Sequence, residues 1–274
     1  MNTQSIKMKD NIISPVFVPS KGRSNPKFLQ LIPEAILVVE PQDVEVYKAA
    51  NPNTKILVLG ENDRGIAYVR QSILDYARQS GIQTFWQIDD DVSILYENVN
   101  GKTVKVCPYY ALHSAERDFI NWGSGLGGLE YSQYCWGKLR SEYAIGYCEV
   151  VSFFDVKQLM NINYRNLQLK EDRDLSMQVV ASGLKATRIR RFGFFCPPNG
   201  SNSGGLKPLY DKNYPEIDAC KKIVNLWGQK YCNIKIKRDG RIDLKINWRR
   251  LATASTSGMG KLPQEQPVFP NSDL

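Results

Sequence analysis

Short, wholly apolar runs alternate with stretches of helical periodicity over the first ninety or so residues. The runs at 14–18, 35–39 and 55–59, and a fourth that begins at residue 83, are rich in β-prone residues and predict strands. Residues 44–50 suit a short helix, and 65–79 repeat apolar residues at helical spacing until Gly81 stops them. Strands that are apolar throughout and alternate with helices predict a mostly parallel α/β sheet covered on both faces.

The middle of the chain is less regular. Helices are predicted over 111–122 and 174–182, and strands over 143–154 and 187–195. The glycine-rich stretch 123–128 predicts a flexible loop. Residues 196–205 are rich in Pro, Asn, Ser and Gly and exclude regular structure, which leaves a lid or a plain surface loop as interpretations.

A helix and a hairpin are predicted as an appendage over 210–250. The helix shows one apolar face, and the hairpin turns at Asp239-Gly240. A two-residue turn would mix apolar and charged positions on each face. A three-residue turn instead pairs Ile236 with Ile242 and Ile234 with Leu244, which keeps one apolar face, so we expect the latter. Residues 251–274 are predicted as a disordered tail, which leaves 1–209 as the main domain.

Composition bounds the class of protein without deciding it. The 274 residues are 42% hydrophobic, which is ample for one large core. A net charge of +8 fits polyanionic partners, nucleic acid above all, but fits a nucleotide-binding enzyme as well.

Cysteine usage and hydropathy indicate a cytoplasmic location. The six cysteines form no CxxC pair and there is one histidine, which argues against a Cys/His zinc site and predicts reduced thiols. Residues 1–11 show no signal sequence, and no run of about 18 apolar residues predicts a membrane span.

Three consecutive carboxylates, Asp89, Asp90 and Asp91, end the fourth predicted strand. Strands of an α/β sheet deliver ligands at their carboxyl ends. Two carboxylates facing one point there form a hard site for Mg²⁺ or Mn²⁺, and such an ion commonly holds a diphosphate. A solvated acidic turn is the alternative interpretation.

Basic residues follow the first strand and flank a helix start. The first group combines free backbone N–H groups with two cations and suits a nucleotide, although an ordinary basic turn has the same composition. Arginines near a helix N-terminus suit a diphosphate, although exposed arginines are common on solvated faces. These candidates are Pro19, Ser20, Lys21, Gly22, Arg23, Arg64 and Arg70.

A second acidic group, residues 171–174, precedes a predicted helix. Carboxylates at this place cap free N–H groups of the first turn. The alternative is that a carboxylate of this run serves as a general base toward an acceptor hydroxyl, and the two interpretations are compatible for different members of the run.

The order of these pieces resembles the GT-A fold glycosyltransferases over roughly residues 14–205. That resemblance implies a Rossmann-like, mostly parallel central sheet, here with a C-terminal helix–hairpin appendage. A closer resemblance is to the TET-associated glycosyltransferases of phages and some eukaryotes. It rests on the segments PVFVPSKGR, WQIDDDV, LKEDRDLSMQ and RRFGFFCPPNGSNSGG.

The resemblance assigns roles to the candidate residues. Asp91 would bind the metal, and Asp89 the metal or the ribose. Asp172 would be the base, and Glu171 would hold hydroxyls of the donor sugar. Residues 19–23 and Glu40 would border the nucleoside, with Arg64, Arg70, Asp89 and Asp90 completing the donor site.

One departure concerns the metal. Many GT-A enzymes supply a late histidine as a further ligand, whereas no histidine follows His113 here. Asn199, Ser201, Asn202 or water are the replacements left open.

The function implied by the resemblance is DNA modification. A metal-dependent enzyme, using Mn²⁺ or Mg²⁺, would move a sugar from a UDP-sugar to 5-hydroxymethylcytosine or another hydroxymethylpyrimidine, in the cytoplasm of a phage-infected cell. The target base would be flipped out or single-stranded. The alternatives are a GT-A enzyme for protein or small molecules, an inactive nucleic-acid-binding module and, more weakly, a nucleotidyltransferase.

The polar face of the predicted hairpin is the candidate DNA contact. It is expected to hold the phosphate backbone rather than read bases, and a merely solvated face is the alternative. Its cations are Lys235, Lys237, Arg241 and Lys245, followed by Arg249 and Arg250.

Overall fold

A computed structural model describes residues 14–138, 141–198, 201, 204–210, 215–238 and 240–254. Ten strands form one sheet in the order β3-β2-β1-β4-β9-β7-β10-β5-β6, with β8 also paired to β10. The strands are β1 Val16–Pro19, β2 Ile36–Val39, β3 Ile56–Val58, β4 Thr84–Ile88, β5 Ile94–Val99, β6 Lys102–Lys105, β7 Leu126–Tyr131, β8 Tyr143–Ile145, β9 Val151–Asp155 and β10 Ala186–Phe195.

Strand direction confirms a mostly parallel α/β sheet. The four strands β3, β2, β1 and β4 are parallel neighbours. Strand β9 enters antiparallel between β4 and β7, and β5 and β8 also run against the rest. The half of the sheet formed by β1 to β4 is therefore parallel, as the sequence pattern predicts. The other half contains both parallel and antiparallel pairs.

Helices cover the sheet and continue into the C-terminal region. They are α1 Val44–Ala50, α2 Ile66–Gln79, α3 Pro108–Asn121, α4 Glu171–Ala181, α5 Lys207–Tyr210, α6 Pro215–Trp227 and α7 Trp248–Ala254. Among the described residues no helix is long and apolar enough to cross a membrane.

Two apolar clusters lie on opposite faces of the sheet. Adjacent residues of β4 separate into them, with Phe85 in one cluster and Trp86 in the other. Phe85 stacks on Phe154 with ring centroids 4.5 Å apart, while Trp86 meets the edge of Phe153 at 5.5 Å. Alternate side chains of each strand thus enter different cores, as expected for a sheet buried on both faces.

The glycine stretch predicted as a flexible loop is partly a buried strand. Only Gly123 to Gly125 turn, and β7 begins at Leu126. A Cβ placed on Gly127 would lie 2.6 Å from the ring of Phe119, so the missing side chain lets α3 pack closely on the sheet. Here glycine serves close approach rather than mobility.

The C-terminal hairpin has the expected register. Its strands are β11 Cys232–Ile236 and β12 Ile242–Ile246, and they pair Ile236 with Ile242 and Ile234 with Leu244. Gly240 takes a φ of +80°, as the bulge position requires. Asp239 lies outside the described residues.

The region after residue 210 is packed into the main core. Buried residues of α6, the hairpin and α7 belong to the same apolar cluster as α2 and α4. Residues 251–254, expected in the tail, continue α7 because Leu251 is fully buried in that cluster. The rest of the predicted tail, 255–274, lies outside the described residues.

Candidate active site

A cavity of about 510 Å³ opens where β1, β2, β3 and β4 end. Its lining brings together residues that are far apart in the sequence. The predicted site residues among them are Pro19, Ser20, Lys21, Arg23, Glu40, Arg64, Arg70, Asp89, Asp90 and Asp91. We call it the donor cavity, after the donor site that the resemblance implies for these residues.

Asp90 anchors the loop that follows β1. Its side chain is almost fully buried, it accepts a hydrogen bond from Ser20 Oγ, and its Oδ1 lies 3.0 Å from Arg23 Nη1. Burial raises the pKa of Asp90 to about 6, against the opposing effects of Arg23 and Ser20. Tyr47 supports the same loop, with its hydroxyl 2.8 Å from Ser20 Oγ and accepting the Arg23 N–H. Asp90 therefore shapes the loop as well as lining the cavity.

Asp89 and Asp91 present the more accessible carboxylates. Asp89 lies 3.1 Å from Arg70 Nη2, and Asp91 lies 3.3 Å from Arg23 Nη1. Burial raises the pKa of Asp89 to about 7; Arg70 opposes the rise, and Asp91 and Asp90 add to it. The crowding of negative charge is what a divalent cation would relieve.

The donor set fits a metal whose coordination is completed by substrate. Among the described residues no group of three or more His, Cys, Asp or Glu side chains is placed to hold an ion. Two carboxylates together with diphosphate oxygens and water match the habit of Mg²⁺. Of the replacements for a late histidine, Ser201 donates its hydroxyl to the Pro198 carbonyl, and Asn199 and Asn202 lie outside the described residues.

Arg70 joins the two acidic motifs. It projects from α2, is buried, and places Nη2 on Asp89 and Nη1 3.4 Å from Glu171 Oε1. Burial disfavours its charge, but Asp89 and Glu171 outweigh that effect and raise the pKa of Arg70. The residue that the sequence assigned to a diphosphate thus also ties the start of α4 to the end of β4.

Helix α4 begins at the second acidic motif. Lys170 precedes it in the left-handed conformation, with φ of +62°. Glu171 is buried against Arg70, and burial raises its pKa. Asp172 is partly exposed, and its backbone carbonyl accepts a hydrogen bond from Ser176 Oγ, which in turn accepts the N–H of Cys148. Glu171 therefore faces the donor side, and Asp172 is the more accessible carboxylate.

Cations at the outer edge of the donor cavity already have acidic partners. Lys21 Nζ lies 2.7 Å from Glu40 Oε2 and also bonds Asp63. Arg64 Nη1 lies 2.5 Å from Glu61 Oε2. A bound anion would therefore have to compete with these pairs or rearrange them.

A glycine-rich segment, residues 204–210, crosses the donor cavity and is called the strap. Gly205 N–H donates to the Lys21 carbonyl at 2.9 Å. A Cβ on Gly204 would lie 2.7 Å from that same oxygen, and Gly204 has φ of +77°. Leu206 and Leu209 line the cavity from the strap. The last two residues of the stretch 196–205, which the sequence left as lid or loop, are thus held against the first loop by main-chain contact.

Sequence reasoning missed several residues of the donor cavity. Asp63 lies in the loop that follows β3, and the strand-end rule applied to Asp89 to Asp91 could have been extended to that loop. Asn166 and Gln168 come from the irregular segment between β9 and α4, where no local pattern marks a site. Gly22, Glu171 and Asp172 were predicted for the site but are not among the described lining residues, although Glu171 reaches it through Arg70.

Comparison with known proteins gives one family and several distant structural likenesses. The family model described as TET-Associated Glycosyltransferase matches residues 14–197, which is most of the chain. No curated protein matches the sequence.

The solved structures that match do so at low similarity. TarS 1–349 of S. aureus in complex with UDP is 15% identical with a TM-score of 0.44, over 67% of this chain and 59% of that one. Mannose-1-phosphate geranyltransferase from Thermus thermophilus is 12% identical with a TM-score of 0.41, over 67% and 76%. A197 from STIV is 14% identical with a TM-score of 0.43, over 69% and 87%. The chain thus spans about three-fifths of the TarS segment.

Proposed function

Because the chain belongs to the TET-associated glycosyltransferase family, we propose that it is a nucleotide-sugar-dependent GT-A enzyme that glycosylates hydroxymethylated pyrimidines in DNA. The donor is a UDP-sugar and the first-choice acceptor is 5-hydroxymethylcytosine. The observation that carries the proposal is the junction of both acidic motifs through Arg70 at one cavity. That junction sets donor-binding carboxylates beside a candidate base.

The donor cavity suits a nucleotide sugar. Its volume of about 510 Å³ lies in the range of small-molecule sites. Residues 19–23 and Glu40 would border the nucleoside, and Arg64 and Arg70 would lie near the diphosphate. Leu206 and Leu209 of the strap would cover the bound donor and exclude water.

Asp89 and Asp91 would hold Mn²⁺ or Mg²⁺ together with the diphosphate. A metal bound there supplies stabilisation of the negative charge on the leaving diphosphate. The two arginines beside these carboxylates keep them oriented toward the cavity.

Asp172 is the proposed general base if the anomeric centre inverts. It is partly exposed, and its hydrogen bond to its own neighbour, Arg173 N–H at 2.7 Å, fixes Oδ1 at the helix start. Glu171, one residue earlier and bound to Arg70, would hold hydroxyls of the donor sugar. Asp174 has a different role, because it is fully buried and binds Arg165 and Trp227.

The basic hairpin face is the proposed contact with the DNA backbone. Lys235 and Lys245 are exposed on it. Lys237 differs from them, since its Nζ lies 2.7 Å from the buried carboxylate of Asp243. Phosphate contacts of this kind position DNA without reading its sequence.

The deciding experiment measures nucleotide release from a panel of UDP-sugars and other nucleotide sugars. Each donor is tested with hydroxymethylated DNA, with matched unmodified DNA, and without acceptor. We expect one UDP-sugar to be consumed fast only with hydroxymethylated DNA, and the product DNA to gain the mass of the sugar. Equal rates with modified and unmodified DNA, or transfer to protein instead, would refute the DNA assignment while leaving the glycosyltransferase assignment intact.

A further inference from the structure

A second, smaller cavity of about 100 Å³ adjoins the donor cavity. The two share Arg23, Asp89, Asp91 and Leu206. A group held in the smaller cavity would therefore meet the donor at the metal-binding carboxylates. Its volume is too small for a nucleotide sugar and suits a single ring.

The residues that line the smaller cavity alone are mostly apolar, while three of the four that it shares with the donor cavity are charged. Val150, Pro197 and Pro198 supply aliphatic surface, and Tyr210 supplies an aromatic ring, with Cys196 between them. Enzymes that act on a base outside its stack hold it between aromatic and apolar side chains in such a pocket. Lys207 is the cation among the described lining residues that the donor cavity does not share.

Val150 is held in an unusual conformation at this wall. Its φ is +64°, which a β-branched residue rarely adopts. The Val150 carbonyl accepts the backbone N–H of Asp89 at 2.9 Å, and Val151 N–H bonds the Glu149 carbonyl at 2.7 Å. Strained backbone of this kind clusters at ligand sites, and here it couples the wall directly to the first acidic motif.

Tyr210 gives this wall an uncharged aromatic ring. Burial raises the pKa of Tyr210, and the carboxylates of Glu216 and Asp172 raise it further, so the side chain stays neutral. Tyr210 also ends α5, whose Leu209 lines the donor cavity.

Resting on the proposed function, we propose that the smaller cavity is the acceptor subsite and receives one unstacked pyrimidine ring. The ring lies between Tyr210 and the proline wall and directs its 5-hydroxymethyl oxygen toward the donor. That oxygen forms the bond to the anomeric carbon, the carbon–oxygen bond to the diphosphate breaks with its electron pair leaving on the diphosphate, and the hydroxyl proton passes to Asp172.

The test compares Tyr210→Ala and Tyr210→Phe with Tyr134→Ala, a control that removes an exposed tyrosine away from both described cavities. Loss of one stacking contact should raise the acceptor KM about tenfold or more in Tyr210→Ala. We expect Tyr210→Phe and Tyr134→Ala to stay within about threefold of the parent, and the Kd for UDP to stay similar in all of them. Pro198→Ala, with a smaller increase in acceptor KM, replaces Tyr210→Ala if that variant fails to fold.

A second measurement detects the unstacked base directly, by fluorescence. A duplex carrying pyrrolocytosine at the target position should brighten on binding, because that fluorophore is quenched in the stack, and Tyr210→Ala should reduce the signal.

If UDP affinity falls as much as acceptor affinity, the cavity belongs to the donor site and the inference is wrong. The inference is also wrong if neither Tyr210→Ala nor Pro198→Ala changes the acceptor KM. If the parent enzyme transfers sugar to no hydroxymethylated DNA, the proposed function fails and the acceptor subsite fails with it.

Discussion

At the scale of single residues, Asp91 is the sharpest test of the metal. Its side chain lines both cavities and is about a fifth exposed, so Asp91→Ala should fold normally. Loss of a metal ligand removes charge stabilisation of several kcal/mol, and we expect sugar transfer to fall ~10³-fold or more, as it should with EDTA. Asp218→Ala removes an exposed helix carboxylate as the control. Transfer that survives both Asp91→Ala and EDTA would exclude a metal at this place.

A substitution at Asp172 separates the catalytic step from binding of the donor nucleotide. Asp172→Asn keeps the size of the side chain and removes its basicity, so turnover should fall ~10²–10⁴-fold while the Kd for UDP stays near that of the parent. Steady-state kinetics together with UDP titration separate the two effects. Normal turnover would point to Glu171 or to a reaction that retains configuration; Asp174 is no substitute, because Arg165 and Trp227 bind it in the core.

At the scale of elements, one buried carboxylate fastens the hairpin to α4. Asp243 lies 2.7 Å from Arg173 Nη1, 2.7 Å from Lys237 Nζ and 3.8 Å from Lys170 Nζ. Burial alone would raise the pKa of Asp243, but Arg173 and the Lys237 hydrogen bond lower it below the ordinary value. Two of these cations flank Glu171 and Asp172 in the sequence, so the hairpin supports the helix start that bears the candidate base.

The sign of this pKa shift predicts a pH dependence. A carboxylate with a lowered folded-state pKa contributes stability above its unfolded pKa of about 3.9, and loses it as the pH falls through the folded value. Asp243→Asn should therefore lower the free energy of unfolding at pH 7 by about 1–3 kcal/mol. Urea unfolding of parent and variant should converge once the pH has fallen through the folded-state pKa, which lies below the unfolded value of about 3.9. If the difference in the free energy of unfolding between parent and variant stays constant from pH 7 down to that pH, Asp243 acts by packing instead of by charge.

The same contacts refine the test of DNA binding. Lys237 supports Asp243, so Lys235→Ser with Lys245→Ser is the cleaner pair, and Lys237→Ser serves as a stability comparison. Each phosphate contact contributes a slope of about 0.9 in log K against log salt, so the double variant should flatten the slope by about 2 and weaken binding. Fluorescence anisotropy at several salt concentrations measures this. An unchanged slope would make the hairpin face structural.

The strap is the other element with a direct test. Gly204→Ala would press a methyl group onto the Lys21 carbonyl and strain a positive φ, so the strap should detach and the Kd for UDP should rise about tenfold, equivalent to about 1.4 kcal/mol. Gly228→Ala is the matched control, since Gly228 has a φ of +84° but no atom near its missing Cβ. Equal effects on UDP binding in both variants would mean that general destabilisation, rather than the clasp, is responsible.

At the scale of the whole molecule, the local sequence pattern predicted individual strands and site residues but not the tertiary contacts that join them. The parallel strands follow from apolar runs that alternate with helical stretches, and the hairpin register follows from the pairing that keeps one apolar face. Asp89 was found because strand ends meet at one edge of a parallel sheet, and Glu40 was found through the family resemblance. The Arg70 bridge joins Asp89 to Glu171, which lies far along the chain, and β9 enters against the direction of its neighbours. Such contacts and strand pairings are set by tertiary packing, so they cannot be inferred from a short stretch of sequence.

The clasp between strap and first loop has a consequence for how this enzyme can be altered. Because main-chain atoms make the contact, its strength does not depend on which side chains the strap carries beyond its two glycines. The two cavities are lined from the strap by the side chains of Leu206, Leu209 and Tyr210. We expect libraries randomised at those three positions to yield enzymes with new pairs of donor and acceptor while closure is preserved, which makes the strap a natural unit for directed evolution.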